Sequence, residues 1–243
     1  MNKLDLTKIS RETYKGRHNQ DLDSSISRLK KLNSYKELST ICIIPTNGLI
    51  PAKIAENWLN QTSQMNQKFV RLMMIGMEKY YAFNNCIENI LQTPKLNEFK
   101  YILTLEEDTI IPPDGLHKLF ESMDNYDVVG GLAFTKGIEG KPMVYGNPRG
   151  FFETMTKTSV FPETVQECRG IGTSYTMFKL DIFKNEKLKK PWFRSSPKLK
   201  LGETKNEEID TDFYNELNKL GYKVACDTRV RLGKYDIATD TIW

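Results

Sequence analysis

Hydrophobic and polar positions along the chain fall into short blocks whose period changes repeatedly. Thr40-Ile41-Cys42-Ile43-Ile44 is an apolar, largely β-branched run that predicts a buried strand. Pro45-Thr46-Asn47-Gly48 is turn chemistry that ends it. Pro51 suits the first turn of a helix, where its missing N–H has no partner to lose. Ile54, Trp58 and Leu59 then share one helical face. Phe69 to Ile75, ended by Gly76, predicts a second strand. Tyr81 to Gln92 predicts a helix with Ile87, Ile90 and Leu91 turned inward. Tyr101 to Leu105 reads as a third strand, stopped by Glu106-Glu107-Asp108. Pro112-Pro113-Asp114 opens a helix that buries Leu116, Leu119 and Phe120, and Tyr126 to Val129 is a fourth strand before Gly130-Gly131. Strands alternating with helices of about ten residues predict βαβ units on a mostly parallel sheet flanked by helices.

Beyond residue 135 the alternation weakens. Gly, Pro and aromatic residues dominate 137–162, which predicts hairpins and loops and a less regular second half. A helix is clear again where Ile209, Phe213, Leu217 and Leu220 repeat at helical spacing, with Gly221 where a C-cap belongs. Tyr222 to Cys226 reads as a further strand. Residues 1–38 lack sustained apolar periodicity and are read as a basic extension or a pair of short helices. One domain is expected over 39–243.

Composition narrows the class. At 39% hydrophobic and 27% charged residues the chain is neither collagen-like nor wholly disordered. No run nears the roughly 18 apolar residues of a membrane helix, and the start of the chain has no secretory core, so a cytoplasmic protein without a membrane span is expected. Cys42, Cys86, Cys168 and Cys226 form no CxxC pair and are expected to be reduced. With only His18 and His117, a His-rich metal site or a Ser-His-Asp triad has little material.

The net charge of +4 is unevenly placed. Residues 1–36 carry nine Lys/Arg against four Asp/Glu, and residues 184–205 carry eight against two, so the remainder is acidic. Basic segments of this kind suit phosphates, nucleic acid or an anionic surface, or are simply a solvated face.

The strongest chemical signal is Leu105-Glu106-Glu107-Asp108-Thr109, a buried strand running into three acids. Ligands of open α/β sheets bind outside the carboxyl ends of strands, and adjacent carboxylates suit Mg²⁺ or Mn²⁺. The same cluster also reads as an acidic turn before the next helix.

These residues and several others, in order over about 40–236, resemble a GT-A-fold glycosyltransferase of the family-2-like class, near its small phage and prokaryotic forms. Glu106-Glu107-Asp108 stands where that family has its DxD-type motif. Ile43-Ile44-Pro45-Thr46-Asn47 resembles its nucleotide-base loop, and Ala82-Phe83-Asn84 its Ala-Arg-Asn segment. Gly170-Ile171-Gly172-Thr173 through Phe183, followed by Pro191-Trp192-Phe193, resembles its acceptor side, and Ile209-Asp210-Thr211-Asp212-Phe213 resembles its Glu-Asp-x-x-Phe.

The resemblance implies a Rossmann-like GT-A fold and transfer of a sugar from a nucleotide-sugar donor, a UDP-sugar first, to a hydroxyl acceptor with inversion. It implies a metal held by Asp108 and Glu106, and a donor site of Pro45, Thr46, Asn47, Asn84, Glu106, Glu107 and Lys234. Gly170, Gly172 and Trp192 would lie on the acceptor side, and Asp210 would be the general base, with Asp212 its near competitor. Taken without the resemblance, Asp210 also reads as a helix N-terminal acid, and Trp192 as core.

Three positions depart from the family pattern. Glu106 replaces an Asp, Phe83 replaces an Arg, and Lys234 stands in Leu232-Gly233-Lys234-Tyr235 where many relatives have a metal-binding His. Metal dependence is therefore open, and a catalytically degenerate binding protein is the alternative. A nucleotidyltransferase would want a Gly-rich basic loop, which Pro45 to Ile50 does not match. The acceptor (glycan, protein, lipid-linked or modified nucleic acid) and the oligomeric state are not legible.

Overall fold

Two strands buried on both faces form the spine of the molecule: β1 (Thr40–Thr46) and β3 (Tyr101–Leu105), every residue of which is shielded from solvent. Continuous rather than alternating hydrophobicity is what such doubly covered parallel strands require. The computed structural model describes residues 31, 36–62, 67–137, 139–146, 150, 152–153, 155–159, 162–194 and 210–243. Most of the expected 1–38 extension, Ile209, and the second half of the 184–205 basic block lie outside the described residues.

The remaining elements are α1 (Ala52–Leu59), β2 (Phe69–Ile75), α2 (Lys79–Gln92), the short α3 (Pro94–Asn97), β4 (Thr109–Ile110), α4 (Gly115–Ser122) and β5 (Val128–Leu132). They continue with β6 (Val144–Tyr145), β7 (Val165–Cys168), β8 (Gly170–Ile171), β9 (Tyr175–Lys179) and a 3₁₀ turn at Leu180–Lys184. The chain closes with α5 (Thr211–Lys219), β10 (Val224–Arg231), β11 (Gly233–Asp236) and β12 (Thr241–Ile242).

Seven strands form one sheet in the order β2-β1-β3-β9-β5-β10-β7. β1 runs parallel to β2 and β3, and β10 parallel to β5. β9 is antiparallel to both β3 and β5, and β7 is antiparallel to β10. Five of the seven strands therefore share a direction. One continuous hydrophobic cluster runs from Leu38 to Tyr235.

Several boundaries differ from the sequence pattern for physical reasons. β1 extends through Pro45 and Thr46 instead of turning there. Its ladder with β3 ends at Ile43–Thr104 while that with β2 continues to Thr46–Ile75, so Pro45 lies where β1 has one neighbour and a missing N–H is tolerated. α2 starts at Lys79, two residues earlier than expected, because the Glu78 side chain caps it by accepting from Tyr81 N at 2.9 Å. Leu59 is exposed, since Ile54 and Trp58 alone occupy the inward stripe of α1.

The largest omission is β9, which lies at the centre of the sheet inside a stretch that the weakened alternation left unassigned. The fourth strand also shifts, so that Gly130 and Gly131 lie within β5. A Cβ on Gly130 would stand 2.4 Å from Thr176 Oγ1, and one on Gly131 would stand 2.9 Å from the carbonyl of Val230. These glycines allow β5 to pack closely against β9 and β10.

All four cysteines are free and buried, and no helix among the described residues is long and apolar enough to cross a membrane. Gly130→Ala is expected to cost about 1–3 kcal/mol through overpacking. Urea unfolding of the variant against the wild type checks this.

Candidate functional site

Because β9 runs against β3, its first residues lie beside the carboxyl end of β3, with Leu105 opposite Tyr175. The loops after β1 and β3, the start of α2 and the start of β9 therefore converge on one edge of the sheet, where open α/β folds bind their ligands.

Glu106 is the centre of this edge. Its Oε1 accepts from Thr173 Oγ1 at 2.7 Å and from Lys79 Nζ at 3.1 Å. Its Oε2 accepts from Lys234 Nζ and from Ser174 Oγ at 3.3 Å. Burial alone would raise the Glu106 carboxyl. The Lys234 and Lys79 ammonium groups, with hydrogen bonds from Lys234 and Thr173, outweigh burial and hold it well below the usual carboxylate range.

Lys234 is delivered by β11, whose register against β4 sets it opposite Thr109. Its backbone exchanges both hydrogen bonds with Trp243, at 3.0 and 2.8 Å, and Tyr235 N donates to the Asp108 carbonyl at 2.8 Å. The side chain is 5% exposed. Besides Glu106 it donates to Asp108 Oδ1 at 2.8 Å and to Thr109 Oγ1 at 3.3 Å. Burial pulls the ammonium down, but Glu106 and Asp108 outweigh that and raise it.

The three acids thus separate. Glu107 turns to the first loop, accepting from Asn47 N at 2.9 Å and from Asn47 Nδ2 at 3.2 Å. Thr46 is buried, and its hydroxyl accepts from Gly48 N at 3.0 Å. Pro45, Thr46, Asn47, Glu106, Glu107, Asp108 and Lys234 accordingly share the edge. Asn84 does not join them. Its amide mimics a backbone unit, donating to Phe193 O at 2.7 Å and accepting from Phe193 N at 3.0 Å, so it ties α2 to the segment before α5.

That segment ends in an aromatic cluster in which Phe193 meets Phe213 at 4.6 Å and Phe183 meets Trp192 at 5.3 Å. Trp192 is buried here, so of its two readings the geometry favours core packing. The cluster fixes Asp210, which caps α5 instead of lying within its first turn: Oδ1 accepts from Phe213 N at 3.0 Å and Oδ2 from Arg194 N. Burial raises the Asp210 carboxyl despite those two donors. Asp212 is exposed in the first turn of α5. The Tyr80 hydroxyl is raised mainly by burial, against the lowering effect of the Lys79 ammonium, with the Glu106 and Asp210 charges adding to the rise.

Gly170 and Gly172 lie where β8 approaches β6, and a Cβ on Gly170 would stand 1.9 Å from the Tyr145 ring. In the described part of the basic block Lys184 pairs with Asp181 at 3.0 Å, Lys190 with Glu88 at 3.6 Å and Arg194 with Glu216 at 3.8 Å.

Lys79, Thr173 and Ser174 are the site residues that sequence patterning missed. Lys79 carried a usable signal, because a lysine in the first turn of a helix opposes the macrodipole unless an acid compensates it.

The resemblance implies a divalent cation at Glu106 and Asp108, and the donor set does not fit one. The Lys234 ammonium bridges the two carboxylates. Among the described residues no three His, Cys, Asp or Glu side chains are grouped to hold a metal ion.

No protein-family model matches the chain, and no curated protein matches it in sequence. Among solved structures the chain is similar to A197 from STIV, at 16% identity over 84% of this chain and 92% of that one, with a TM-score of 0.54. It also matches S. aureus TarS residues 1–349 at 14% identity, covering 77% of this chain and 57% of that one with a TM-score of 0.42. The inositol-1-phosphate CTP transferase from T. maritima matches at 14% identity, covering 89% and 77% with a TM-score of 0.39. The sheet order and the first of these likenesses define a GT-A-type α/β fold.

Glu106→Gln is expected to lower stability at pH 7 by about 1.5–3 kcal/mol, because it weakens the bonds to two ammonium groups and leaves the buried Lys234 with Asp108 as its one carboxylate. A depressed carboxyl stabilises above its unfolded pKa of about 4.3, and this contribution is lost as pH falls. Urea melts between pH 3 and 7 should therefore show wild-type stability falling more steeply with acid than that of the variant.

Proposed function

We propose that the protein is a glycosyltransferase that moves a sugar from a nucleotide-sugar donor, a UDP-sugar first, to a hydroxyl acceptor with inversion. The observation that carries this reading is that α2 joins two unlike acidic centres: Lys79 pairs with Glu106, and Asn84 holds Phe193 next to the Arg194 N–H that Asp210 accepts. One is an ion cluster at the carboxyl edge of the sheet. The other is Asp210, a buried carboxylate with a raised pKa. Groups whose environments push their pKa values apart mark acid–base sites.

In the proposed reaction the acceptor oxygen forms a bond to the anomeric carbon, and the bond from that carbon to the β-phosphate oxygen breaks. The acceptor proton passes to Asp210, and the nucleoside diphosphate leaves with the bonding electrons. Thr46, Asn47 and Glu107 border the base and ribose, with the Asn47–Glu107 bonds holding the first loop against the third. Lys79 and Lys234 offset the charge that grows on the diphosphate.

One observation favours a second reading, a binding protein without turnover: both Asp210 oxygens already accept backbone N–H groups. Turnover separates the two. Incubation with a panel of UDP-, GDP-, CDP- and dTDP-sugars, followed by mass analysis, should release a nucleoside diphosphate from one of them. Asp210→Asn should lower that rate by about 10²–10⁴-fold with donor affinity unchanged. The wild-type rate should rise with pH through a value above the ordinary Asp value of about 3.9. Diphosphate binding with no release from any donor would select the second reading.

A further inference from the structure

The misfit between the implied cation and the residues present has a chemical resolution. A divalent ion held by two carboxylates supplies two positive charges beside a diphosphate. Here two ammonium groups supply the same charge to the same carboxylates. Lys79 and Lys234 both contact Glu106, on opposite oxygens, and Lys234 continues to Asp108. We propose that this lysine pair, organised by Glu106, replaces the divalent cation, so that the donor diphosphate binds at this edge without metal.

Each lysine has a distinct part. Lys234 has three N–H groups and three protein acceptors, Glu106, Asp108 and Thr109, so it is held rigidly and acts as a fixed charge. Lys79 has a side chain 27% exposed against 5% for Lys234, and it stands at the mouth of the cluster, in the first turn of α2. It is the ammonium that reaches the phosphate, because the α2 N-terminus itself is already capped by the Glu78 carboxylate. Thr173 and Ser174 keep Glu106 ionised and oriented, so that neither lysine is drawn away from the edge. A metal entering between Glu106 and Asp108 would have to displace Lys234 from both carboxylates and leave a buried ammonium with no counter-charge and only the Thr109 hydroxyl, which is strongly unfavourable.

This inference rests on the donor-site reading above, and one experiment separates their failures. UDP, CDP, GDP, ADP and dTDP are titrated calorimetrically into the full-length protein in EDTA and again with Mn²⁺. Mn²⁺ alone is titrated in parallel and followed by electron paramagnetic resonance. The expected result is one diphosphate whose Kd agrees within about twofold in the two conditions, with no tight Mn²⁺ bound in its absence. Lys79→Met should weaken that diphosphate by about tenfold or more, and Lys79→Arg should recover most of the loss, because charge and donors return. Thermal unfolding close to wild type for both variants shows that the change is local. Binding that requires Mn²⁺ would overturn the metal-free assignment and leave the donor site standing. Absence of binding by every diphosphate in both conditions would remove the donor site, and the lysine pair's role with it.

Discussion

A single buried carboxylate organises the edge of the sheet. Glu106 follows directly on β3, and burial there would neutralise an isolated acid. It stays charged because three chain segments send it four donors: α2 through Lys79, β11 through Lys234, and the approach to β9 through Thr173 and Ser174. These donors lie 27, 128, 67 and 68 residues away in sequence. The ionised state of Glu106 and the closure of this edge are thus one condition. The cluster can exist only when β9 is inserted beside β3 and β11 has registered on β4.

The second centre is fixed by packing. Asp210 is placed by the aromatic cluster around Phe193 and Phe213 and by the Asn84 bridge, which locks the segment before α5 to α2. Since α2 carries Lys79 and Tyr80 at its start and Asn84 one turn later, one helix holds both centres at a set separation. Tyr80 reinforces this by stacking on Phe193 at 6.5 Å while feeling both charges.

How much of this was legible depended on whether a feature was local. β1, β2, β3 and α4 followed from continuous or periodic apolar runs, and β3 came out to the residue. β9 was hidden because Tyr175-Thr176-Met177-Phe178-Lys179 follows no helix and precedes only a 3₁₀ turn, so no alternation announced it. Its place in the sheet is set by partners more than 45 residues away. The same holds for the site. Glu106, Asp108 and Lys234 were singled out from their order along the chain, but that Lys234 bridges the two acids depends on the β4–β11 register. Asn84 and Trp192 were assigned to ligands because their segments match a family pattern. In the structure Asn84 bridges to the Phe193 backbone and Trp192 packs on Phe183, contacts that no local pattern announces.

The charge balance of the cluster bears on how such a site can work at all. Two lysines against Glu106 and Asp108 sum to neutrality, as a divalent ion between the same acids would. The two arrangements differ in rigidity and exchange. A metal can leave with its ligand, whereas Lys234 is anchored through β11 and Lys79 through α2. In the proposed donor site the two ammonium groups would therefore be in place before the donor arrives and after the diphosphate leaves. Preorganised charge of this kind needs no reorganisation at the moment of bond cleavage. Its cost is that Lys234 is committed to its three protein acceptors, so in the proposed donor site direct contact with phosphate would fall to the more exposed Lys79.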